Sequence, residues 1–244
     1  MTMTQNGNSH TNFNGWRTQP MYTFSEAAQL ARVSTSSVRN WLIGYSGAGR
    51  EIRPIFTTHD KNRAMVSFLN LIEIVVAGQF RKALHVKYQT VLRAYENAKA
   101  IVDSQYPFAH ARLEPLGPRI VYMVKNRPIG ESLQSVDNPA QWSFPMELPP
   151  LPTEVRQVIS EIEYLQDLAA KWFPVGRDVP IVIDPRISTG IPTILGTGVT
   201  IGAIHERFKA GHKIEYLARD YKIEPSVVQT VIQYAMQHSE LVAA

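Results

Sequence analysis

A short polar segment near the N-terminus carries the residue types that bind nucleic acid. It combines hydroxyl groups with one guanidinium and one amide side chain. Such groups bind phosphate oxygens, and arginine and asparagine also form paired hydrogen bonds with base edges. The same side chains would suit the solvated face of an ordinary helix, so both interpretations stay open at this point. The candidate DNA contacts are Thr35, Ser36, Ser37, Arg39 and Asn40.

Two capped helices are predicted to position these side chains. Ser25 is the predicted N-cap of the first helix, whose apolar face consists mainly of small residues at positions 27–31. Ser34 is the predicted N-cap of the second helix, over residues 35–43, in which apolar residues recur at i and i+4. Small residues on the first helix allow the close, steep crossing of a helix–turn–helix. Two short helices in an ordinary helical core are the alternative.

A basic hairpin is predicted to follow the second helix. Residues 52–56 would form one strand, interrupted by Pro54, residues 59–62 the turn and residues 63–66 the return strand. Beside a helix–turn–helix, such a hairpin acts as a wing that follows the DNA backbone or minor groove, whereas an ordinary hairpin would simply carry solvated charges. The excess of basic residues favours nucleic acid. The hairpin cations are Arg50, Arg53, Lys61 and Arg63.

Charge is divided unevenly along the 244 residues, whose formal net charge is +4. Residues 1–130 contain 16 Lys and Arg against 7 Asp and Glu, a net charge of +9. Residues 131–244 contain 9 against 14, a net charge of −5. A basic half suits a polyanionic partner, and an acidic half would be repelled by the same polyanion. DNA binding is therefore predicted for the first half only.

Composition excludes several classes of protein. The chain has no cysteine, which excludes disulfides and thiolate metal sites. No apolar run approaches the roughly 20 residues that span a bilayer, and the polar N-terminus lacks the apolar segment of a signal peptide. We expect a cytoplasmic protein with no membrane partner, in which residues 1–20 form a disordered leader.

Catalytic motifs are not recognisable. The glycine-rich segment at residues 196–202 lacks the Gly-Lys-Ser/Thr ending of a phosphate loop. His212 lies seven residues after His205 of the His205-Glu206 pair, and no further metal ligand lies in register with these two positions. We expect no enzyme activity, no catalytic residue, no metal and no cofactor.

The middle of the chain changes in character. Residues 67–104 are predicted to complete the first domain, over residues 21–104, with a helix capped by Ser67 and a second helix. Eight prolines make residues 105–150 a predicted strand-rich connection, with a strand at residues 119–124. In residues 151–178, an apolar stripe from Thr153 to Trp172 predicts an amphipathic helix and a linker. That stripe packs either in the core or against another protein.

Residues 179–244 predict a compact three-helix domain. A strand at residues 181–183 precedes helices at about residues 201–210 and 214–221, and Pro225 begins the third. The last two helices form a second helix–turn–helix-like pair. Its second helix presents glutamines and no Lys or Arg, so it is predicted to bind protein or a second copy of the chain. These glutamines are Gln229, Gln233 and Gln237. The predicted fold is α+β and mainly helical.

The order of elements in residues 21–104 is similar to that of a known DNA-binding domain. The segment MYTFSEAAQLARVSTSSVRNWL, the hairpin and the Ser-capped helix SFLNLIEI follow one another as in MerR-type regulators. The segment LIGYSGAGREI is longer and richer in glycine than in compact members. The resemblance implies a winged helix–turn–helix domain that binds DNA. Because a single small domain makes few base contacts, a dimer on a two-fold operator is expected.

The remaining segments extend the resemblance to nearly the whole chain. VIDPRISTGIPTILGTGV and ERFKAGHKIEYLARDYKIEPSVV resemble a trihelical, homeodomain-like family that is often found in bacterial antitoxins. Members carry an arginine beside the central glycine, where this chain has Leu195-Gly196-Thr197-Gly198. With the MerR-like head and KWFPVGRD, the layout resembles VapB-type antitoxins of the large two-domain kind. This resemblance implies a PIN-domain ribonuclease toxin that the chain silences while repressing their shared operon.

The resemblance also indicates candidate toxin contacts. PIN nucleases hold metal with clustered acids, so an antitoxin of this kind can insert a basic side chain there. Arg177 and Arg186 are the candidates, although either could pair with a neighbouring aspartate instead. Two other functions remain open: a stand-alone regulator that senses a small molecule in its middle region, and a protein-interaction module with a structural helix–turn–helix.

Overall fold

A computed structural model describes residues 15–47, 49–56, 65–126, 146–238 and 242 of the chain. The fold is α+β and mainly helical, as the sequence predicts. The described elements, in chain order, are α1 (Gly15–Thr18), β1 (Pro20–Thr23), α2 (Phe24–Ala31), α3 (Thr35–Leu42), β2 (Tyr45–Gly47), β3 (Arg50–Ile52), β4 (Met65–Ser67), α4 (Phe68–Ala83), α5 (Tyr88–Val102), α6 (Leu113–Asn126), α7 (Thr153–Ser160), β5 (Ile162–Leu165), β6 (Leu168–Trp172), β7 (Ile181–Val182), β8 (Thr193–Ile194), α8 (Ile201–Lys209), α9 (Ile214–Tyr221) and α10 (Pro225–Gln237).

Helix α4 lies at the centre of the larger hydrophobic core. Every residue from Phe68 to Ala77 is buried, because α2, α7, β4, β6 and the 3₁₀ helix at Pro107–Ala109 pack around it. Ser67 caps this helix as predicted, since its hydroxyl accepts a hydrogen bond from Asn70 N at 3.2 Å. Apolar residues on most sides of a helical segment require its burial, as in a core helix. The core around α4 contains side chains from Tyr22 through Ile183.

A second, smaller core joins the last three helices. Ile204, Leu217 and Val231 are fully buried where α8, α9 and α10 meet. The sequence predicted these helices closely: α9 spans Ile214–Tyr221, and Pro225 is the first residue of α10. Their caps and amphipathic periods are local signals, which explains why the helix bounds could be predicted.

The predicted disordered leader is wrong for residues 15–20. Arg17 lies in α1 and is fully buried. Its Nη2 donates a hydrogen bond to the carbonyl oxygen of Leu165 at 2.9 Å, and its guanidinium lies over the Trp16 ring. A buried guanidinium requires such partners, and its main partner lies 148 residues away in the chain. Residues 1–14 lie outside the described residues.

The predicted pairing of the basic hairpin is also wrong. Strand β3 pairs with β2 in an antiparallel register that places Ser46 opposite Glu51, whereas β4 pairs with β1. After Pro54, the backbone N–H groups of Ile55 and Phe56 donate to the carbonyl oxygen of Trp41 at 2.8 and 3.0 Å. Both side chains are buried in the core, so the chain leaves the sheet at this point. Residues 57–64, including the predicted turn, lie outside the described residues.

The predicted strand at residues 119–124 lies within helix α6. Pro115 occupies the first turn of this helix, where a missing N–H removes no internal hydrogen bond, and Pro118 removes only one. The helix packs along α5, and the buried Val121 belongs to that contact. Tertiary packing therefore overrides the strand preference of the apolar run. In the described part of residues 105–150 the strand-rich prediction is wrong.

The helix predicted from Thr153 to Trp172 ends at Ser160, and a hairpin follows. Strands β5 and β6 are joined by Gln166 and Asp167, with φ values of +51° and +63°. Positive φ at both loop residues is typical of a type I′ turn, which matches the twist of a hairpin. The apolar residues still reach the core, from α7 and then from the hairpin, so the stripe predicted burial correctly and secondary structure wrongly.

Candidate nucleic-acid interface

Helices α2 and α3 form a helix–turn–helix with well-defined caps. Thr23, rather than the predicted Ser25, caps α2: its hydroxyl accepts from Glu26 N at 3.2 Å, and its N–H donates to the Glu26 carboxylate at 2.6 Å. This reciprocal pair is a capping box, and it places Ser25 inside the first turn. Ser34 caps α3 as predicted, because its hydroxyl accepts from Ser37 N at 3.1 Å.

The turn between the two helices is held by backbone hydrogen bonds and by α4. Arg32 has a left-handed φ of +53°. Its N–H donates to Gln29 O, and Val33 N–H donates to Ala28 O, both at 3.0 Å, which is the Schellman pattern of a helix end. Val33 packs against Gly78, where a Cβ would come within 3.0 Å of the valine methyl. Glycine at position 78 therefore lets the turn sit close to α4.

One face of α3 is directed to solvent. Val38, Trp41 and Leu42 are buried beneath the helix. Thr35, Ser36 and Arg39 are exposed on the opposite side, and Ser37 and Asn40 are half-buried at its edges. All five predicted contacts thus lie on a helix whose polar side is open. The major groove of DNA is wide enough, at about 12 Å, to admit such a helix.

Three cations that were not predicted from the sequence lie near the N-terminal end of α3. Arg32 comes from the turn, and Arg81 and Lys82 come from the last turn of α4; we call them the α3 cation cluster. They line an open groove of about 420 Å³ together with Ser34 and Ser37. Arg81 Nη1 donates to Ser37 Oγ at 3.4 Å.

This arrangement favours a phosphate group. The N-terminal end of a helix has a positive dipole and N–H groups that point outward, and nearby cations add to that field. From the sequence, Arg81 and Lys82 are ordinary basic residues at a helix C-terminus. Only the packing of α4 against the helix–turn–helix brings them to α3.

The observed hairpin β2–β3 follows α3 directly. Gly44, with φ of +82°, begins it, and a Cβ there would collide with the carbonyl oxygen of Ile52, so glycine is required. Arg50 is the first residue of β3, and the exposed Arg53 follows that strand. The Tyr88 hydroxyl donates to the carbonyl oxygen of Arg53. The other two predicted hairpin cations, Lys61 and Arg63, lie outside the described residues.

Arg177 makes contacts within the chain. Its Nε donates to Ser160 O at 2.8 Å, its Nη2 donates to Ile162 O at 2.9 Å, and its guanidinium lies over the Phe173 ring. The side chain thereby caps the end of α7 and holds the start of the hairpin. Its role in toxin binding stays a prediction.

Arg186 is paired with an acid next to it in the sequence. Its Nε and Nη2 donate to the two carboxylate oxygens of Asp184 at 2.9 and 2.8 Å. This hydrogen bonding raises the pKa of the Arg186 guanidinium above its ordinary value. The pairing is the alternative that the sequence left open, and toxin contact by Arg186 likewise stays a prediction.

The glutamine face of α10 is exposed, at Gln229, Gln233 and Gln237.

Among the residues that the structure describes, no group of three or more His, Cys, Asp or Glu side chains is arranged to hold a metal ion. None of the described helices combines the length and the apolar character that a membrane crossing demands.

Two family models match separate parts of the chain. Residues 20–94, which include the helix–turn–helix and α4, match the model described as "Putative DNA-binding HTH domain". Residues 181–235, which include α8, α9 and most of α10, match "Protein of unknown function (DUF433)".

Two mycobacterial proteins are similar over most of their length. The chain is 24% identical over 234 residues to "Uncharacterized protein Rv2308" of Mycobacterium tuberculosis, covering 92% of this chain and 94% of that protein. The crystal structure of Rv2018 from the same organism superposes with a TM-score of 0.68 at 22% identity, covering 88% of this chain and 98% of that one, which shows a shared fold. The chain is thus a two-domain protein with an N-terminal helix–turn–helix domain of the DNA-binding type.

Proposed function

We propose that this chain is a sequence-specific DNA-binding repressor. The observation that carries the proposal is the open polar face of α3 beside the α3 cation cluster. Helix α3 enters the major groove, where Arg39 and Asn40 bind base edges. Arg81 and Lys82 bind phosphates flanking the groove and fix the helix in register.

A single helix–turn–helix domain of this size makes few base contacts. Two copies are therefore proposed to bind a two-fold operator, with half-sites about 34–36 Å apart or a multiple of that distance. Operator binding takes place in the cytoplasm.

We further propose that the repressor is an antitoxin, which binds and neutralises a PIN-domain ribonuclease and represses the operon that encodes both. The resemblance to VapB-type antitoxins supports this step, and so does the net charge of −5 in residues 131–244. An acidic half is repelled by DNA and stays available to a protein. Leu165, Leu195 and Met236 are exposed in this half and offer the apolar anchors that protein interfaces use.

The DNA-binding step is tested with the promoter fragment upstream of the chain's own gene. Fluorescence anisotropy of that fragment and of a scrambled fragment of equal length would be measured between about 50 and 200 mM salt. We expect tighter binding to the promoter and a steep loss of affinity with salt for both fragments. Equal affinity for the two fragments would contradict sequence-specific recognition.

The antitoxin step needs a separate test. The chain would be co-expressed with the protein encoded by the adjacent gene, followed by affinity purification and a growth assay. We expect co-purification and relief of growth arrest. Absence of both, with promoter binding retained, would leave the alternative: a stand-alone regulator without a toxin partner. A polar cavity beside the helix–turn–helix favours that alternative, because regulators of this kind respond to small molecules.

A further inference from the structure

A cavity of about 220 Å³ lies behind the helix–turn–helix, between the end of α2, α4, α7 and strand β6. Part of its wall is apolar and is formed by Leu30, Val75 and Val158. At about 30 Å³ per molecule of liquid water, this volume equals roughly seven waters. The cavity therefore suits a molecule smaller than a drug-sized ligand.

Two polar side chains are buried in the wall, and one of them has no hydrogen bond of normal geometry within the described part of the chain. Trp172 is 4% exposed, and its indole Nε1 has no hydrogen-bond partner of normal geometry within the described part of the chain. Glu161 is 9% exposed, and its Oε1 accepts a hydrogen bond from Gln157 Nε2 at 3.3 Å. Burial raises the pKa of the Glu161 carboxyl, although Gln157, Trp172 and the charge of Arg32 act in the opposite direction. The Trp172 indole N–H therefore faces the Glu161 carboxyl without a hydrogen bond of normal geometry, and an acceptor that enters the cavity would satisfy it more fully.

The remaining polar lining divides by charge. The acids come from α7 and the residue after it, as Glu154 and Glu161. The cations come from the end of α2 and from α4, as Arg32 and Lys82, which are also members of the α3 cation cluster. A ligand that satisfies both kinds of wall must carry both signs of charge.

We propose that this cavity binds a small aliphatic α-amino acid. The ammonium group of the ligand pairs with Glu161, and its carboxylate accepts from Trp172 Nε1 and pairs with Lys82. The aliphatic body packs on the apolar wall, and ionised partners make each of these polar contacts charge-assisted.

Regulation follows from the shared cations, and this part rests on the proposed DNA-binding function. Arg32 and Lys82 line both the cavity and the groove at α3. A ligand carboxylate and a DNA phosphate therefore compete for the same charges. The bound amino acid weakens DNA binding, and by linkage DNA weakens amino-acid binding by the same factor.

The first experiment measures binding to the full chain without DNA, by isothermal titration calorimetry with L-leucine as the probe. Two matched probes remove one charge each: 3-methylbutan-1-amine lacks the carboxylate, and 4-methylpentanoate lacks the ammonium group. We expect saturable binding of L-leucine at one site and at least roughly tenfold weaker binding of both matched probes. Absence of saturable L-leucine binding, or equal binding of all three molecules, would overturn the proposal.

Variants then locate the site. Glu161→Gln keeps the shape of the side chain, and Trp172→Phe removes the indole N–H while it retains an aromatic ring. Each should weaken L-leucine binding about tenfold or more. Lys82→Ala changes an exposed side chain and serves as the second variant if a buried substitution impairs folding, which circular dichroism would show. Lys209→Ala, at an exposed position in α8, is the control and should bind like the wild type. Unchanged affinity in Glu161→Gln and Lys82→Ala would place the ligand elsewhere and overturn the assignment.

The DNA arm separates this inference from the proposed function. Saturating L-leucine is expected to raise the Kd for the promoter fragment. Binding of L-leucine by a chain that binds no DNA would support the site and contradict the proposed function. Promoter binding without L-leucine binding would support the proposed function and contradict the cavity as an amino-acid site. Binding of both without competition would support the cavity as a site and overturn its coupling to DNA.

Discussion

The hydroxyl of Tyr22 donates a hydrogen bond to the carbonyl oxygen of Gly190 at 2.9 Å, across 168 residues of chain. Tyr22 lies in β1, immediately before the helix–turn–helix, and Gly190 lies in the 3₁₀ turn that leads to the three-helix unit. Gly190 has φ of +76°, and a Cβ there would collide with the tyrosine hydroxyl. The close approach therefore requires glycine, and it attaches the start of the C-terminal unit to the helix–turn–helix domain.

Tyr22→Phe should lower the free energy of unfolding by about 1–2 kcal/mol, because the buried carbonyl of Gly190 loses its side-chain donor. Urea denaturation followed by circular dichroism measures the change. Tyr45→Phe is the matched control, since Tyr45 is 49% exposed, and it should leave the unfolding midpoint unchanged. Equal stability of Tyr22→Phe and wild type would show that this hydrogen bond contributes nothing net.

Arg39→Ala should cost about 1–3 kcal/mol of binding to the promoter, if Arg39 contacts a base, and much less on scrambled DNA. Anisotropy titrations on both fragments measure the difference. Arg219→Ala removes an exposed arginine of α9 and should bind both fragments like the wild type. A loss that is identical on the two fragments would mean that Arg39 contacts phosphate instead of base.

Arg81→Ala and Lys82→Ala should weaken binding to all DNA sequences alike. Each removes one phosphate contact, so each should reduce the slope of log K against log salt by about 1. Lys209→Ala, on the far unit, should keep the wild-type slope. An unchanged slope in both cluster variants would contradict the placement of phosphate at the N-terminal end of α3. Lys61→Ala is expected to act in the same way, since Lys61 is predicted to contact the DNA phosphate backbone.

Glu73 predicts a pH dependence of stability. It is fully buried in α4, where Asn70 Nδ2 donates to its Oε2 at 3.3 Å, and burial raises its pKa well above the ordinary value. Between the ordinary glutamate pKa of about 4.3 and the raised value, the folded chain binds a proton that the unfolded chain has lost. This contribution to stability is therefore full below about pH 4.3 and declines as pH rises through that window.

Glu73→Gln removes this decline, because the amide keeps the shape and cannot ionise. The free energy of unfolding of Glu73→Gln relative to wild type should be greater at about pH 7 than at about pH 5. Chemical denaturation at the two pH values measures it, with the exposed Glu51→Gln as the control. A constant difference between the variant and wild type would show that Glu73 ionises in the folded chain as it does in the unfolded one.

Local signals were sufficient to predict the helix–turn–helix. The Ser34 cap and the apolar spacing of Val38 and Leu42 all lie within a few residues of one another. The exposed face of α3 follows from that spacing, so its candidate contacts could be chosen from the sequence. The three C-terminal helices were predicted for the same reason.

Pairings between distant segments could not be predicted in this way. Strand β4 is separated from its partner β1 by more than forty residues. The sequence pattern favoured pairing with the nearer segment at residues 52–56. Arg81 and Lys82 reach α3 only because α4 packs beside it. For the β5–β6 hairpin a local signal did exist, in the two polar residues Gln166 and Asp167, but the continuing apolar stripe favoured a helix.

The burial of residues 68–77 of α4 on all sides limits how the helix–turn–helix domain can be used. A fragment that ends at residue 94 would strip α7 and the β5–β6 hairpin from this helix and leave a wide apolar strip facing water. Such a fragment should aggregate instead of reading DNA. Helix α3 therefore cannot be moved to another protein as a short fragment. Any chimera that folds must carry the chain through about residue 183, where the larger core ends.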